Sequence, residues 1–295
     1  MTGYVVGVDG SGPSDAALKW ALGHAAVEPG PLLLVHVIDD EWGVAGSDYA
    51  REAMIAGQYL LQRARDRTAV LSGSPPGVSP LDADSRIATR IVHGSPVWEL
   101  AAVCGDDELL VIGTHKTGYL HGRVLGSRSV AIAAIAAGSV VVVPDSPSSR
   151  RHGVVAGVTG ADSRMVGVAR AAREAERLQE TLLVIHAAPS QAVGVTDESM
   201  RQRQREVLRA AVRVATTAAP HVSITTRVST RQPAEALLDA SRDATMLVLE
   251  PSRNRDQRSI LGSTTHDVLM NINVPVMIAR GAPDPATPPR PPSRP

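Results

Sequence analysis

Five short runs rich in Val, Leu and Ile punctuate the first half of the chain, at residues 4–9, 31–38, 87–92, 108–112 and 139–143, without polar alternation. Runs of this kind predict parallel strands buried on both faces, not half-exposed antiparallel ones. Between them lie longer stretches that read as helices: Pro13 to Val27, Ser47 to Val70, Pro96 to Cys104 and Ser127 to Ala137. Ser11 and Pro13 supply a cap and a first-turn residue for the first of these. Strand and helix alternate to a fifth strand, which predicts a doubly wound sheet with ligands beyond the strands' carboxyl ends.

The second half repeats the first. The segment "IATRIVHGSPVWELAAVCGDDELLVIG" (87–113) lies over "ITTRVSTRQPAEALLDASRDATMLVLE" (224–250) without a gap. "GYVVGVDGS" from Gly3 matches "GVVAGVTGA" from Gly153, "LLVHV" (33–37) matches "LVIHA" (183–187), and "VLGSRS" (124–129) matches "ILGSTT" (260–265). Matches in one order at a nearly constant offset make the chain two copies of one unit of about 140 residues. The second copy's strands are expected at 153–158, 182–187, 224–229, 245–249 and 274–279. The fold expected is α/β, with two tandem doubly wound (Rossmann-like) five-stranded parallel-sheet domains at 1–145 and 153–281. "PDSPSSRRHG" (144–153) reads as a linker, and the Pro-rich tail over 282–295 is expected to be disordered.

Composition narrows the functional classes. At 43% apolar and 20% charged, the 295 residues suit two soluble globular domains of ordinary size. Thirty basic and thirty acidic residues cancel, so no global field draws the chain to nucleic acid or membrane. Phenylalanine is absent and aromatics make up 2%, which leaves cores of Val, Leu, Ile and Ala and little material for stacking bases. Cys104 is the only cysteine, which excludes an intrachain disulfide and a Cys-based zinc cluster; it is expected to be buried and inert. The start "MTGYVVGVDG" has neither a basic n-region nor a cleavable apolar stretch, and Val130–Val143 is too short and too broken for a bilayer. A cytoplasmic protein is expected.

Candidate chemistry concentrates in "GTHKTGYLHGRVLGS" (113–127), which follows an apolar run and leads into a small-residue helix. A strand that passes through glycines to a helix N-terminus is a place to hold phosphate. Walker A is excluded, because Gly126 is followed by Ser127 and Arg128 rather than by Lys. "GVDGSG" orders its glycines wrongly for a dinucleotide fingerprint, "DGSGPSD" does not supply an SGGxDS pyrophosphatase loop, and no GxSxG occurs. His115 and His121 lie six apart with no carboxylate beside them, a poor metal pair.

What remains is Gly113-x2-Lys116-x9-Gly126-Ser127, and here the chain resembles the universal stress protein family, whose ATP-binding members carry G-x2-G-x9-G-[S/T]. "VVGVDGS" with Ser14 and Leu18, the "LVHV" second strand and the strand–Gly–Ser–helix close strengthen the resemblance, which covers 3–144 and 153–280. It implies a regulatory protein that binds ATP, with or without Mg2+, in the first copy, hydrolyses it slowly if at all, and presents an altered surface to an unidentified protein partner. The alternatives are an interaction module without nucleotide and a slow adenine-nucleotide hydrolase. Neither nucleic acid nor membrane is an expected partner.

Residue by residue, the resemblance places Gly7 in the cofactor-binding set, Asp9 at the adenine and ribose, and the Val37 backbone at the adenine edge. Gly113 lets the loop approach the ligand, and Gly126, Ser127 and Ser129 offer donors to the phosphates. Lys116 stands where the ATP-binding pattern has its second glycine; Gly118 can take the turn instead, and the ammonium is a serviceable phosphate contact. His36 is expected to be a sheet-end histidine satisfied by backbone. In the second copy Thr159, Glu250 and Arg253 replace Asp9, Gly113 and Lys116, so one nucleotide per chain is expected, and Gly113→Glu should abolish binding with the fold intact. The resemblance also implies an intramolecular pseudo-dimer packed through the fifth strands, "SVVVVP" and "VPVMIA", with a homodimer of such chains as a further arrangement.

Overall fold

The computed structural model describes residues 3–39, 48–71, 86–114, 119–120, 123–124, 127–145, 151–160, 165–188, 197–251 and 261–281. The first lobe runs β1 (Gly3–Gly7), α1 (Gly12–Ala25), β2 (Leu32–Ile38), α2 (Asp48–Leu71), β3 (Ile87–His93), α3 (Pro96–Val103), β4 (Glu108–Thr114), a short β5 (Tyr119–Leu120) and β6 (Arg123–Val124), α4 (Ser127–Ile135) and β7 (Ser139–Pro144). The second runs β8 (Val154–Val158), α5 (Val166–Leu178), β9 (Leu182–Ala187), α6 (Asp197–Ala218), β10 (Ile224–Ser229), α7 (Pro233–Ser241), β11 (Met246–Leu249), α8 (Ser263–Met270) and β12 (Val276–Ile278). The expected strands and helices of the first copy are present, with ends displaced by a residue or two. The antiparallel pair β5–β6 inside the 113–127 loop went unforeseen, because two-residue strands leave no period to read.

The two half-sheets fuse into one ten-stranded sheet, in the order β10-β9-β8-β11-β12-β7-β4-β1-β2-β3. Every neighbouring pair in it is parallel except one: β12 meets β7 antiparallel, with Val276, Met277 and Ile278 opposite Val142, Val141 and Val140. The fifth strands therefore join the lobes, as the resemblance implied and as their unbroken apolar sequences suit. An apolar strand edge is removed from solvent by pairing with its own repeat. Arg280 and Ser139 lock the end of the junction: the Ser139 hydroxyl donates to the Arg280 carbonyl at 3.0 Å, and the Arg280 guanidinium donates to Gly138 and Ala134 carbonyls.

Helices cover both faces. Alternate residues along each strand feed two cores, Tyr4, Val6, Leu109, Val111, Val154 and Met277 under α1, α2, α5 and α6, and Val5, Leu110, Val140, Val155 and Ile278 under α3, α4, α7 and α8. Each core runs across both lobes without a break. A Leu or Val buried as completely as Leu34 or Val140 stabilises the fold by about 1.5–3 kcal/mol. Cys104 is buried as expected; burial first, and then Glu108 and Asp106, push its thiol up to about 12, so it carries no reactive thiolate. No helix among the described residues is long and apolar enough to cross a membrane.

Candidate functional site

In each half-sheet the chain leaves the first strand for the second and third, then returns to the fourth on the other side of the first. That reversal opens a crevice beyond the carboxyl ends of β1 and β4 in lobe one, and of β8 and β11 in lobe two.

Around the lobe-one crevice, Gly7 closes β1, where a Cβ would lie 3.2 Å from Leu100 Cδ1 and 3.4 Å from Ile112 Cγ2. Its smallness serves the packing of α3 against the sheet. Asp9 follows, exposed, and its Oδ1 accepts from both the N–H (2.9 Å) and the hydroxyl (2.6 Å) of Ser11. Ser11 in turn caps α1 by accepting from the Ser14 N–H at 3.3 Å. Asp9 thus orders the capping residue, using one carboxylate oxygen. The Val8 N–H donates to Val35 O at 2.8 Å, so Val37, two residues on, turns its backbone N–H and C=O to the same side, past the end of β1.

His36 spends its Nδ1–H on the Val8 carbonyl at 2.8 Å, and His186 repeats the bond to Val158 at 3.1 Å in lobe two. A carbonyl only accepts, so both rings carry the Nδ1 proton. The reading of His36 as a sheet-end residue satisfied by backbone holds.

Gly113 sits one residue from the end of β4, against the first turn of α1. A Cβ there would fall well inside contact distance of the Pro13 carbonyl group and 2.7 Å from the Ser14 nitrogen. Backbone packs on backbone at this point, which corrects the expectation that Gly113→Glu would spare the fold. Ser129, buried in the first turn of α4, donates its hydroxyl to the Gly113 carbonyl at 3.1 Å and so ties α4 to β4. Ser127 opens α4, a nine-residue helix with no acidic residue in its first turn. Lys116, Gly118 and Gly126 lie outside the described residues. Sequence reasoning missed Arg128, whose guanidinium reaches Asp39 at the end of β2 at 3.4 Å. The basic residue directly after "GS" was the available signal.

Lobe two handles the same junction differently. Its crevice holds about 200 Å3, lined by Thr159, Leu237, Leu249, Glu250 and the start of α8. Met165, in the N-cap position of α5, has a left-handed backbone (φ 51°) and makes no side-chain cap. Glu250 reaches across from the end of β11 instead, accepting from the Gly167 N–H at 3.4 Å. Gly167 makes room for it, since a Cβ there would lie 3.2 Å from Glu250 Cβ. A carboxylate belonging to the chain occupies the helix N-terminus, where the peptide dipoles favour negative charge.

A second polar cluster lies where α1 and α5 meet beneath the joined sheet. His24 and Glu174 are both buried and 150 residues apart, the offset that relates Gly3 to Gly153. The repeat places them at equivalent positions facing each other. His24 Nε2 lies 3.0 and 3.1 Å from the two Glu174 oxygens, Nδ1 lies 2.8 Å from the Tyr4 hydroxyl, and the ring stacks on Trp20 at 4.9 Å. Tyr4 gives its proton to the Glu28 carbonyl at 2.7 Å, so His24 Nδ1 is a donor to it. Burial pushes the Glu174 carboxyl up, but the His24 hydrogen bond and charge, with Arg170 and Arg177, more than reverse this and hold it at about 2.

Glu174 is therefore ionised and accepts from Nε2–H, with Arg177 at 2.8 Å and Arg170 at 3.3 Å on its other sides. His24, Glu28 and Glu174 are close enough to share a cation, but two guanidiniums already neutralise Glu174. The cluster is an ionic tie between lobes, visible in sequence only by laying the copies over one another.

The Universal stress protein family profile matches residues 4–144 and again 151–280. The chain belongs to the universal stress protein family. A universal stress protein of Mycolicibacterium smegmatis is 27% identical over 292 residues, covering 94% of this chain and 97% of that one. One from Mycobacterium tuberculosis strain H37Rv is 28% identical over 295 residues, covering 94% and 96%. The crystal structure of a universal stress protein from Archaeoglobus fulgidus superposes over 94% of this chain and 98% of that one, with a TM-score of 0.67 at 18% identity. This universal stress protein thus shares both its tandem length and its fold with relatives.

Proposed function

We propose that this universal stress protein binds one adenine nucleotide, ATP, in the lobe-one crevice, and that occupancy changes the surface a partner protein meets around residues 113–127. The observation that carries the reading is the difference between the two strand ends: Gly113 in lobe one, where Glu250 fills the site of lobe two. The lobe-one donor set suits a nucleotide. The Val37 backbone would meet the adenine edge, the second Asp9 oxygen a ribose hydroxyl, and the N–H groups of the first α4 turn the phosphates, on a helix with no acidic residue in its own first turn and with Asp39 beside it already paired with Arg128. In lobe two the crevice volume of about 200 Å3 falls below the roughly 300 Å3 at which small-molecule sites begin, and its Glu250 opposes an anion. Binding, and at most slow hydrolysis, is the activity proposed for this site, where the hydroxyl–carboxylate pair of Ser11 and Asp9 is spent on capping α1.

Calorimetric titration of nucleotide-stripped protein with Mg-ATP tests this. One site per chain is expected, and Asp9→Ala should weaken it by about tenfold, as the loss of a charged hydrogen bond does. Two sites per chain, or an Asp9→Ala isotherm equal to wild type, would overturn the assignment.

A further inference from the structure

Beside the His24–Glu174 tie, and away from both crevices, the lobe junction forms a half-open cavity of about 650 Å3 between α1, the end of α5 and the β7 and β11 termini. That volume lies within the range of small-molecule sites. Its wall is apolar below, from Val143, Pro144, Met246, Pro275 and Leu178, and carries Lys19, Arg151 and Arg177 around it with Trp20 between. Among the described residues no carboxylate lines it. Two carboxylates bonded to lining residues are engaged elsewhere, Glu174 by His24 and Arg177, and Glu180 by the Thr245 hydroxyl and the Gly153 N–H.

Of the three cations only Arg177 is neutralised. Among the described residues Lys19 makes no ion pair, and the Arg151 Nε is buried without a hydrogen-bond partner. A buried guanidinium nitrogen left without an acceptor is costly, which marks a place where an acceptor from outside belongs. Gly23 faces the space: a Cβ built on it meets nothing within 4 Å.

We infer that this junction cavity is a binding site for a small amphipathic organic anion, with its apolar or ring portion on the Val143–Met246 floor and its acidic group between Lys19 and Arg151. The site exists only because the lobes are joined, since α1 and β7 belong to one repeat and Arg177, Thr245 and Met246 to the other. Occupancy would therefore tighten the junction.

The test uses 8-anilinonaphthalene-1-sulfonate, a fluorescent anion with an apolar body, titrated into the full chain. Saturable binding of one molecule per chain is expected. Gly23→Leu, which projects a side chain into open space from a helix that favours Leu over Gly, should lower affinity at least tenfold with the melting temperature unchanged or raised. Lys19→Glu should do the same by charge reversal. Non-saturable binding, or a Gly23→Leu protein that binds the probe like wild type, would overturn the site. Displacement of the probe by millimolar inorganic phosphate alone would overturn its amphipathic character.

Discussion

The two crevices of this universal stress protein start from one repeat and solve one packing problem in opposite ways. In lobe one the first helix is capped from its own side: Asp9 holds Ser11, and Ser11 caps α1. The strand opposite can then end in a bare glycine pressed on the helix backbone. In lobe two the helix makes no side-chain cap of its own, and the strand supplies Glu250 to a glycine on the helix. The side chain has moved from helix turn to strand end. The proposed difference in nucleotide binding rests on that exchange, because the lobe with its carboxylate directed at its own cap residue leaves the crevice floor to main chain, and the other lobe carries a built-in anion there.

The most severe way to break this comparison is to copy lobe two into lobe one at a single position. Gly113→Glu, with no matching glycine on α1, forces the Pro13–Ser14 backbone to move. A loss of about 4 kcal/mol or more is expected, seen as a melting temperature lower by more than about 10 °C. A variant that melts within a few degrees of wild type would show that the helix start yields easily.

Making the junction symmetric has the next largest effect. His24→Glu sets a second carboxylate against Glu174 at side chains only 1% exposed, at a cost of roughly 3 kcal/mol. Its pH dependence has a definite sign. With Glu174 held at about 2 when folded and 4.5 as its ordinary value, wild type keeps this stabilisation above pH 4.5 and loses it as pH falls through 2. In His24→Glu the facing carboxylates prefer a shared proton, so the deficit against wild type should shrink on acidification. Chemical denaturation between pH 7 and 3 measures the difference; a deficit that grows toward pH 3 would remove the ionic account.

The gentlest test removes the borrowed cap. Glu250→Ala should cost about 1 kcal/mol through the exposed N-terminus of α5, with partial recovery in Glu250→Gln. Nucleotide stoichiometry should stay at one, since Thr159 still lacks a carboxylate. An increase to two would show that Glu250 alone separates lobe two from lobe one in nucleotide binding.

Much of the fold was legible because buried parallel strands leave uninterrupted apolar runs and a repeat doubles every signal. "SVVVVP" and "VPVMIA" suited the junction that the resemblance implied by being too apolar to leave open. The site was legible only as spacing. That Gly113 is required by Pro13 is a backbone-to-backbone matter, and no residue type at position 13 records it. Glu250 read only as the residue that replaces Gly113, and its hydrogen bond to Gly167 depends on a helix start whose cap was not apparent. His24 carried no signal of its own, because its partner is on the other copy and neither residue belongs to a motif.

The single antiparallel contact between β7 and β12 has one more consequence. It turns the second half-sheet end for end, so the carboxyl ends of the two sets of strands point to opposite rims of the slab. Whatever docks over the lobe-one crevice approaches from one rim, and whatever reads the lobe-two surface approaches from the other. The two crevices therefore open back to back, with the shared sheet between them.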